Sequence, residues 1–186
     1  MPVIQSEIDV HGEEFAKNRE AMLAAVASFR DIEQNCLNKA AAAKEKFDKR
    51  GQLLPRERLN LLLDPGAPFL ELSSLAGYKL HDDKDGTQAG GGIISGIGYI
   101  AGVRCLVTAS NSAIKGGTIS PTGLKKTLRL QQIAFENKLP VVTLAESGGA
   151  NLNYAADIFV EGARGFANQA RMSAMGLPQI TVVHGS

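Results

Sequence analysis

The feature that most constrains the fold is a succession of short apolar runs, punctuated by glycine, after Pro68. Two of these runs, GGIISGIGYI and VRCLVTAS, are joined only by Ala101 and Gly102, which predicts a β-hairpin. A helix over residues 120–137 follows, then the strand VVTLA, the loop ESGGANLNY, a helix near 162–175 and the strand QITVV. This order predicts an α/β fold whose helices cover a sheet through right-handed parallel crossovers.

The first part of the chain has a helical pattern instead. Over residues 13–50 an Ala-rich segment carries apolar residues mostly at three- and four-residue steps, which predicts one long amphipathic helix stopped by a glycine. A short helix over 56–63 is expected next, with Pro55 in its first turn. We therefore predict a helical lead-in over 1–52, whose simplest role is packing or oligomerisation, and a second unit over 53–186.

Further expectations concern the second unit. The run FLEL predicts a short strand, and HDDKDGTQ predicts a solvated loop. The strand QITVV, expected to be a buried strand of an α/β layer, reaches to within three residues of the last residue, so no helix follows to cover its open side. The sequence is therefore expected to be a truncated part of a larger fold.

Composition narrows the classes of partner. The formal charge is +1, with 20 basic and 19 acidic residues interspersed, so no broad field attracts nucleic acid or an anionic membrane. Cys36 and Cys105 lack CxxC spacing and the three histidines are scattered, which argues against a disulfide framework and a metal site. The first residues lack the pattern of a targeting peptide, and no apolar window reaches the ~20 residues of a membrane span. A cytoplasmic protein in a reducing compartment is expected.

The strongest local motif is Ser147-Gly148-Gly149-Ala150, between a strand and a helix. Adjacent glycines permit positive φ and remove the Cβ atoms that would keep a ligand from main-chain N–H groups, so such a turn can aim two donors at one oxygen. Those donors would suit the oxyanion of an enolate or tetrahedral intermediate. A tight strand-to-helix connection without chemistry is the alternative interpretation.

A second motif, Lys115-Gly116-Gly117-Thr118, leads into a helix N-terminus. Exposed amides, the helix dipole and a nearby ammonium would suit a phosphate or ribose contact. A nucleoside-triphosphate loop is excluded because the lysine precedes the glycines and GxxxxGK[ST] is absent. The glycines of GGGIISGIG lie inside the hairpin pattern, so they indicate bulges or close packing and not a dinucleotide fingerprint.

Several single residues are weaker candidates. Lys125, Lys126 and Arg129 could extend a phosphate contact along the helix, although a solvated charged face is the simpler interpretation. Glu146 is conceivable as a general base, with no partner evident in the sequence. Ser147 lacks the GxSxG elbow of a serine nucleophile, and His184 is expected to be a histidine at the edge of the core.

Three runs, taken in order, resemble one known family: LLPRERLNLLLDPGAPFLEL, AGGGIISGIGYIAGVRCLVTASNSAIKGGT and ESGGANLNYAADIF. From about residue 53 to residue 186 the chain resembles the amino domain of carboxyltransferase (beta) subunits of biotin-dependent acyl-CoA carboxylases. The resemblance implies a crotonase-like ββα spiral, incomplete here, and assembly as a dimer of trimers with active sites between subunits. It also implies transfer of a carboxyl group to an acyl-CoA from carboxybiotin, which a biotin carboxylase/biotin carrier (alpha) subunit supplies, without a metal.

The resemblance also implies roles for residues of this chain. The amides of Gly148, Gly149 and Ala150 would hold the thioester enolate oxygen. The segment made of Lys115, Gly116, Gly117 and Thr118 would lie along CoA. The dipeptide Asn153-Tyr154 replaces the Pro-Arg that tends to occur in methylcrotonyl-type members, which points to geranyl-CoA carboxylase or a related branch.

The resemblance leaves alternatives open. The family's second domain, with the biotin-side oxyanion hole, is absent from the sequence, so the fragment alone is expected to be inactive. A biotin-dependent acyl-CoA decarboxylase subunit and a non-catalytic CoA- or partner-binding module are the rival functions. The expected location is the cytoplasm of a bacterium or the mitochondrial matrix of a eukaryote.

Overall fold

The computed structural model describes residues 3–146 and 148–184 as an α/β chain. These residues contain five α-helices and five strands, and from β1 onward the order of the elements is the one that the apolar pattern predicts. In chain order they are α1 Glu13–Ala41, α2 Lys44–Asp48, α3 Pro55–Leu62, β1 Leu70–Glu71, β2 Ile93–Ile100, β3 Val103–Ser110, α4 Pro121–Asn137, β4 Val141–Ala145, α5 Ala155–Ala174 and β5 Gln179–Val183.

The five strands form one sheet in the order β1-β2-β3-β4-β5. The pairs β1–β2 and β2–β3 are antiparallel, whereas β3–β4 and β4–β5 are parallel. The predicted hairpin is confirmed: Ile100 pairs with Val103, and the two turn residues between them have positive φ, 50° for Ala101 and 76° for Gly102. The parallel crossovers place the carboxyl ends of β3 and β4 at the same edge of the sheet.

The core lies on both faces of the sheet. Alternate residues of β3 point to opposite faces, so Cys105 and Val107 pack with Leu59 of α3, while Leu106 packs on the other face. There Leu106 meets side chains from α4, α5 and the segments that follow these two helices. These side chains are Leu130, Ala134, Leu139 and Met172. The sheet is therefore covered by α3 on one side and by α4 and α5 on the other.

The amino-terminal helix differs from the prediction. It ends at Ala41, and a turn at residues 42–43 separates it from α2, so the expected single helix over 13–50 is wrong. No residue of α1 is buried, and Met22 and Phe29 on its apolar stripe are 64% and 47% exposed. Three- and four-residue spacing identifies the apolar face of a helix but does not say what covers it.

The second crossover helix also differs. It begins at Ala155, seven residues before the predicted start near Gly162, because a 3₁₀ turn at Leu152–Tyr154 leads directly into it. The buried side chains Ile158 and Met172 anchor the two ends of α5, which lets the helix accommodate Gly162 and Gly165 between them. Tertiary burial outweighs the helix-breaking tendency of glycine here.

The last strand is confirmed, but its burial is not. All five residues of β5 are exposed, at the edge of the described sheet.

The loop HDDKDGTQ is irregular as predicted, yet one carboxylate in it is buried. Asp83 is 4% exposed and accepts hydrogen bonds from the amides of Lys79 and Gln88, at 3.0 and 2.9 Å. Within the described ranges, no helix is long and apolar enough to cross a membrane.

Candidate active site

The two glycine motifs, predicted separately, lie side by side. The amide of Ile119 donates to the carbonyl oxygen of Gly149 at 2.9 Å, and the amide of Asn151 donates to the carbonyl oxygen of Ile119 at 3.0 Å. These bonds form a parallel bridge between Ile119 and Ala150. Because the motifs follow the neighbouring strands β3 and β4, the structure brings the candidate residues 115–118 and 148–150 into one site. Ser147 lies outside the described residues.

The close approach of the two segments depends on glycine. A Cβ at Gly117 would lie 2.6 Å from the carbonyl oxygen of Glu146, and a Cβ at Gly148 would lie 3.1 Å from the carbonyl oxygen of Gly116. Gly149 is different, since its φ is +86° and nothing lies within 4 Å of the position of its Cβ. Gly117 is thus required by contact and by its φ of +71°, and Gly149 is required by its backbone conformation. A Cβ at Gly148 would be tight against the carbonyl oxygen of Gly116, which would have to shift slightly.

The segment at 115–118 does not offer the amides that the sequence suggested. The amides of Gly117 and Thr118 donate to the carbonyl oxygens of Ile114 and Lys115, at 3.1 and 3.2 Å, inside a tight turn. The Thr118 hydroxyl also donates to the Lys115 carbonyl, at 2.8 Å. The ammonium of Lys115 is half-exposed, with its Nζ 3.8 Å from the carboxylate of Asp82. A phosphate contact from this turn would therefore come from the lysine side chain and not from those two amides.

Asp82 joins the site from the loop before β2, which sequence reasoning treated only as solvated. It accepts hydrogen bonds from the Tyr154 hydroxyl at 3.0 Å and from the Asn151 side-chain amide at 3.4 Å. The hydrogen bond to Asp82 raises the pKa of Tyr154. His81 contacts Tyr154 edge-on, with ring centroids 5.0 Å apart. This contact holds the 3₁₀ turn after the SGGA motif against the loop at 81–88.

Glu146 comes directly before the SGGA motif in the sequence, and the structure gives its carboxylate partners. Its Oε2 lies 2.6 Å from Nη1 of Arg58 in α3 and accepts a hydrogen bond from the Ser112 hydroxyl at 2.7 Å. Burial acts to raise its pKa, but the contacts with Arg58 and Ser112 outweigh burial and lower the pKa below its ordinary value. A buried, ion-paired carboxylate with a lowered pKa is a poor proton acceptor, so the structure disfavours Glu146 as a general base.

His184 lies beside this ion pair at the end of β5. Its Nδ1 is 3.0 Å from Nη1 of Arg58, and its side chain is 25% exposed, in keeping with a histidine at the edge of the core. Burial, with the neighbouring Arg58 cation, lowers the pKa of His184. Burial and the neighbouring guanidinium both disfavour the charged form of the imidazole.

Lys126 contradicts both interpretations made from the sequence. It neither lies on a solvated face nor reaches outward, because it is 5% exposed and its Nζ donates to the carbonyl oxygens of Gly90 and Ile93, at 3.0 and 2.9 Å. Burial lowers its pKa to about 8. The sequence did contain a signal for this burial. Lys126 is three residues after Gly123 and four before Leu130, the spacing of residues on one face of a helix, and both neighbours lie on the buried face of α4. Its neighbours Lys125 and Arg129 are exposed along the groove between α4 and α5.

The chemistry available at this site is mainly that of the backbone. Gly148 and Gly149 are exposed at the carboxyl edge of parallel strands, where ligands of open α/β sheets bind. A turn with positive φ and no side chain can present amides to an anionic oxygen. Among the described residues, no group of three or more His, Cys, Asp or Glu side chains is arranged to hold a metal ion.

Comparisons with known proteins assign the chain to a family. The carboxyl transferase domain matches residues 46–186. The probable mitochondrial methylcrotonoyl-CoA carboxylase beta chain of Drosophila melanogaster is 46% identical over 188 aligned residues, which cover 99% of this chain and 32% of that protein. The chain thus spans about a third of the length of this curated relative.

Solved structures agree on the fold. The beta subunit of Pseudomonas aeruginosa geranyl-CoA carboxylase superimposes with a TM-score of 0.90 at 83% identity, covering 99% of this chain and 34% of that one. Transcarboxylase 12S, solved as a hexamer with methylmalonyl-CoA bound, gives a TM-score of 0.69 over 88% of this chain at 22% identity, which shows the fold alone. The expected crotonase-like spiral is confirmed. The chain belongs to the carboxyl transferase domain family.

Proposed function

We propose that this chain forms the acyl-CoA side of a carboxyltransferase beta subunit, which transfers a carboxyl group from carboxybiotin to a branched, unsaturated acyl-CoA of the geranyl-CoA type. The observation that carries the proposal is the junction of the two glycine motifs at the carboxyl edge of β3 and β4. The 83% identity with a geranyl-CoA carboxylase beta subunit, and Asn153-Tyr154 after the SGGA motif, support the acyl group named.

The proposed role of Gly148, Gly149 and Ala150 is to stabilise a negative oxygen. Removal of the acidic proton of the acyl-CoA, for which the ureido group of biotin would be the acceptor once CO2 is released, places charge on the thioester oxygen. The amides of this turn would bind that oxygen more tightly in the transition state than in the ground state. One such donor is worth about 2.7–4 kcal/mol of barrier in comparable enzymes. Gly148 and Gly149 are exposed, so a ligand can approach this turn.

For the other end of the substrate, we propose that the Lys115 ammonium meets a phosphate of CoA. Gly116, Gly117 and Thr118 would shape the turn that carries this lysine, because two of their amides are already bonded within it. Biotin would be carried by a separate alpha subunit, and it supplies the carboxyl group when that partner is bound. The carboxylate next to the turn, Glu146, is already paired with Arg58, so the proposed contribution of this chain is oxyanion stabilisation and orientation.

The proposal is tested with Gly149→Ala in the full-length beta subunit assembled with its biotin-carrying partner. Alanine at a φ of +86° is strained by about 1–2 kcal/mol and shifts the turn, although its methyl group meets nothing within 4 Å. We expect the wild-type subunit to carboxylate geranyl-CoA in preference to 3-methylcrotonyl-CoA. The variant should lose on the order of 10- to 100-fold in kcat. Proline is unsuitable at this position because its ring fixes φ near −65°.

Gly176→Ala is the matched control. Gly176 has a φ of +71° and equally open surroundings, but it lies after the far end of α5. It should be strained to a similar degree without loss of kcat. Equal rates for the two variants would contradict the assignment of the turn at 148–150. Binding of CoA in a calorimeter, without carboxylation by the full-length subunit, would favour the non-catalytic module instead.

A further inference from the structure

We infer that Arg58 and Glu146 form a positioning pair for the site: the ion pair anchors the end of β4 to α3 and thereby sets the geometry of the turn at 148–150. The inference rests on the proposed function, since it assigns these side chains to the same reaction. Neither residue is proposed to touch the substrate. Each would act through the backbone that it holds.

The pair joins distant parts of the chain in a mostly buried setting. Arg58 lies in α3 and Glu146 follows β4, 88 residues later. Nη1 of Arg58 is 2.6 Å from Oε2 of Glu146, and the side chains are 15% and 9% exposed. Such a pair is screened little by water, so its loss is felt more strongly than that of a surface ion pair.

Glu146 is held through its carboxylate and its main-chain amide. Its carboxylate accepts from Arg58 and from the Ser112 hydroxyl, and its amide donates to the Ser110 hydroxyl at 3.1 Å. Its carbonyl oxygen lies against Gly117, where a Cβ would approach to 2.6 Å. One residue is therefore fixed to α3, to the end of β3 and to the KGGT turn.

A displacement of the Glu146 backbone would affect both glycine motifs. Glu146 lies two residues before Gly148, the first residue of the turn at 148–150, and its carbonyl oxygen lies against Gly117 of the KGGT turn. A shift of its backbone therefore moves the proposed oxyanion donors relative to the proposed CoA contact. Small misplacements of this kind lower the rate of the chemical step more than they lower affinity, because correct alignment is needed only in the transition state.

The test compares Glu146→Gln, Arg58→Met and the double variant in the full-length subunit with its biotin-carrying partner. Each single variant should lower kcat on the order of 10- to 100-fold, while KM for the acyl-CoA changes by less than about threefold. The double variant should be less impaired than the product of the single effects, since each single change leaves one buried charge without its partner. Arg58→Lys keeps the charge and should restore part of kcat.

The same helix provides a matched control pair. Arg56 in α3 binds Glu71 through two hydrogen bonds, at 2.8 and 2.9 Å, and the side chains are 39% and 26% exposed. Among the described residues, no hydrogen bond or ion pair links either side chain to the glycine motifs. Arg56→Met and Glu71→Gln should leave kcat within about twofold of wild type. The positioning role is refuted if these controls lose kcat as much as the Arg58 and Glu146 variants, or if the latter change KM alone.

The outcomes separate this inference from the proposed function. A wild-type subunit that carboxylates no acyl-CoA refutes the function and the positioning role with it. An active wild type with a sensitive Gly149→Ala variant, but with normal kcat in the Arg58 and Glu146 variants, refutes the positioning role alone. Should Arg58→Met fail to fold, Arg58→Lys and Glu146→Gln, which conserve size, decide the question by the same kcat and KM criteria.

Discussion

Lys126 shows that the protonation of a lysine depends on whether its ammonium is buried or exposed. Lys126 lies on the face of α4 that packs towards the hairpin, where its ammonium donates to two main-chain carbonyls in place of water. Burial disfavours the charged form and lowers the pKa to about 8. Its exposed neighbour Lys125 carries the same charge one residue away, on the solvent side of the helix.

The titration of Lys126 predicts a pH dependence of stability. Because its pKa falls from 10.5 to about 8 on folding, the unfolded chain binds more protons between these pH values, so stability relative to Lys126→Met rises with pH over that interval. The rise approaches about 3 kcal/mol above pH ~10.5. Thermal midpoints of the two proteins, measured from pH 7 to 10.5, check this. A difference between wild type and Lys126→Met that does not change with pH would contradict the prediction.

At the scale of residues, the sequence located the glycines but not their partners. Gly117, Gly148 and Gly149 were identifiable because the absence of a side chain is visible in the sequence itself. Arg58 and Asp82 were not, since their partners Glu146 and Tyr154 lie 88 and 72 residues away and no local pattern links such positions. Pairings of this kind arise only when the fold is known.

Among the elements, the β2–β3 hairpin gives the clearest link between turn chemistry and stability. Both turn residues have positive φ, the conformation of a type I′ turn, which favours Asn-Gly. This chain has Ala101-Gly102 instead, and the carboxylate of Asp64 accepts a hydrogen bond from each of their amides, at 2.7 Å. The interaction with Asp64 offsets the strain of alanine in the left-handed region.

Replacement of the strained alanine should stabilise the hairpin. Residue 101 has a φ of 50°, a conformation that asparagine tolerates better than alanine does. Ala101→Asn should therefore raise the free energy of unfolding by up to about 1 kcal/mol. Gly102→Ala, at a φ of 76° with open surroundings, should lower it. Thermal denaturation of the three proteins distinguishes them, and a lower midpoint for Ala101→Asn would show that the left-handed conformation is not the source of strain.

Elements with both a periodic pattern and a turn signal were predicted well, and others were not. The hairpin, α4 and β4 combine alternation or helical spacing with glycine or proline at their ends, and the structure confirms them. The end of α1 at Ala41 has no such signal, because alanines on both sides favour helix equally. The start of α5 at Ala155 depends on burial of Ile158, a tertiary contact.

For the whole molecule, the unpartnered apolar surface is the main feature. On α5, Phe159 and Phe166 are 62% and 75% exposed, seven residues apart on one face, and the neighbouring β5 is exposed throughout. Exposed aromatic residues grouped in this way promote association.

The division into units over 1–52 and 53–186 stays a prediction. The ion pair of Lys44 with Glu57, at 3.0 Å, crosses that boundary.

The exposed aromatics predict self-association of this 186-residue chain. At concentrations of tens of micromolar, we expect a weight-average mass above that of the monomer, and the double change Phe159→Lys with Phe166→Lys should shift it towards the monomer. Light scattering coupled to gel filtration measures this. Gln169→Lys adds a charge at an already polar, exposed site of the same helix and should leave association unchanged. A monomeric wild-type chain would contradict the prediction.

The bridge between Ile119 and Ala150 has a consequence for how the site tolerates sequence change. Two hydrogen bonds between peptide groups join the two loops, from Ile119 to Gly149 and from Asn151 to Ile119. Because main-chain atoms make these bonds, side chains at positions 119 and 150 can be exchanged without removing them. The glycines that flank the joint have no such freedom, so a saturation scan of this region should show permissive positions directly beside invariant ones.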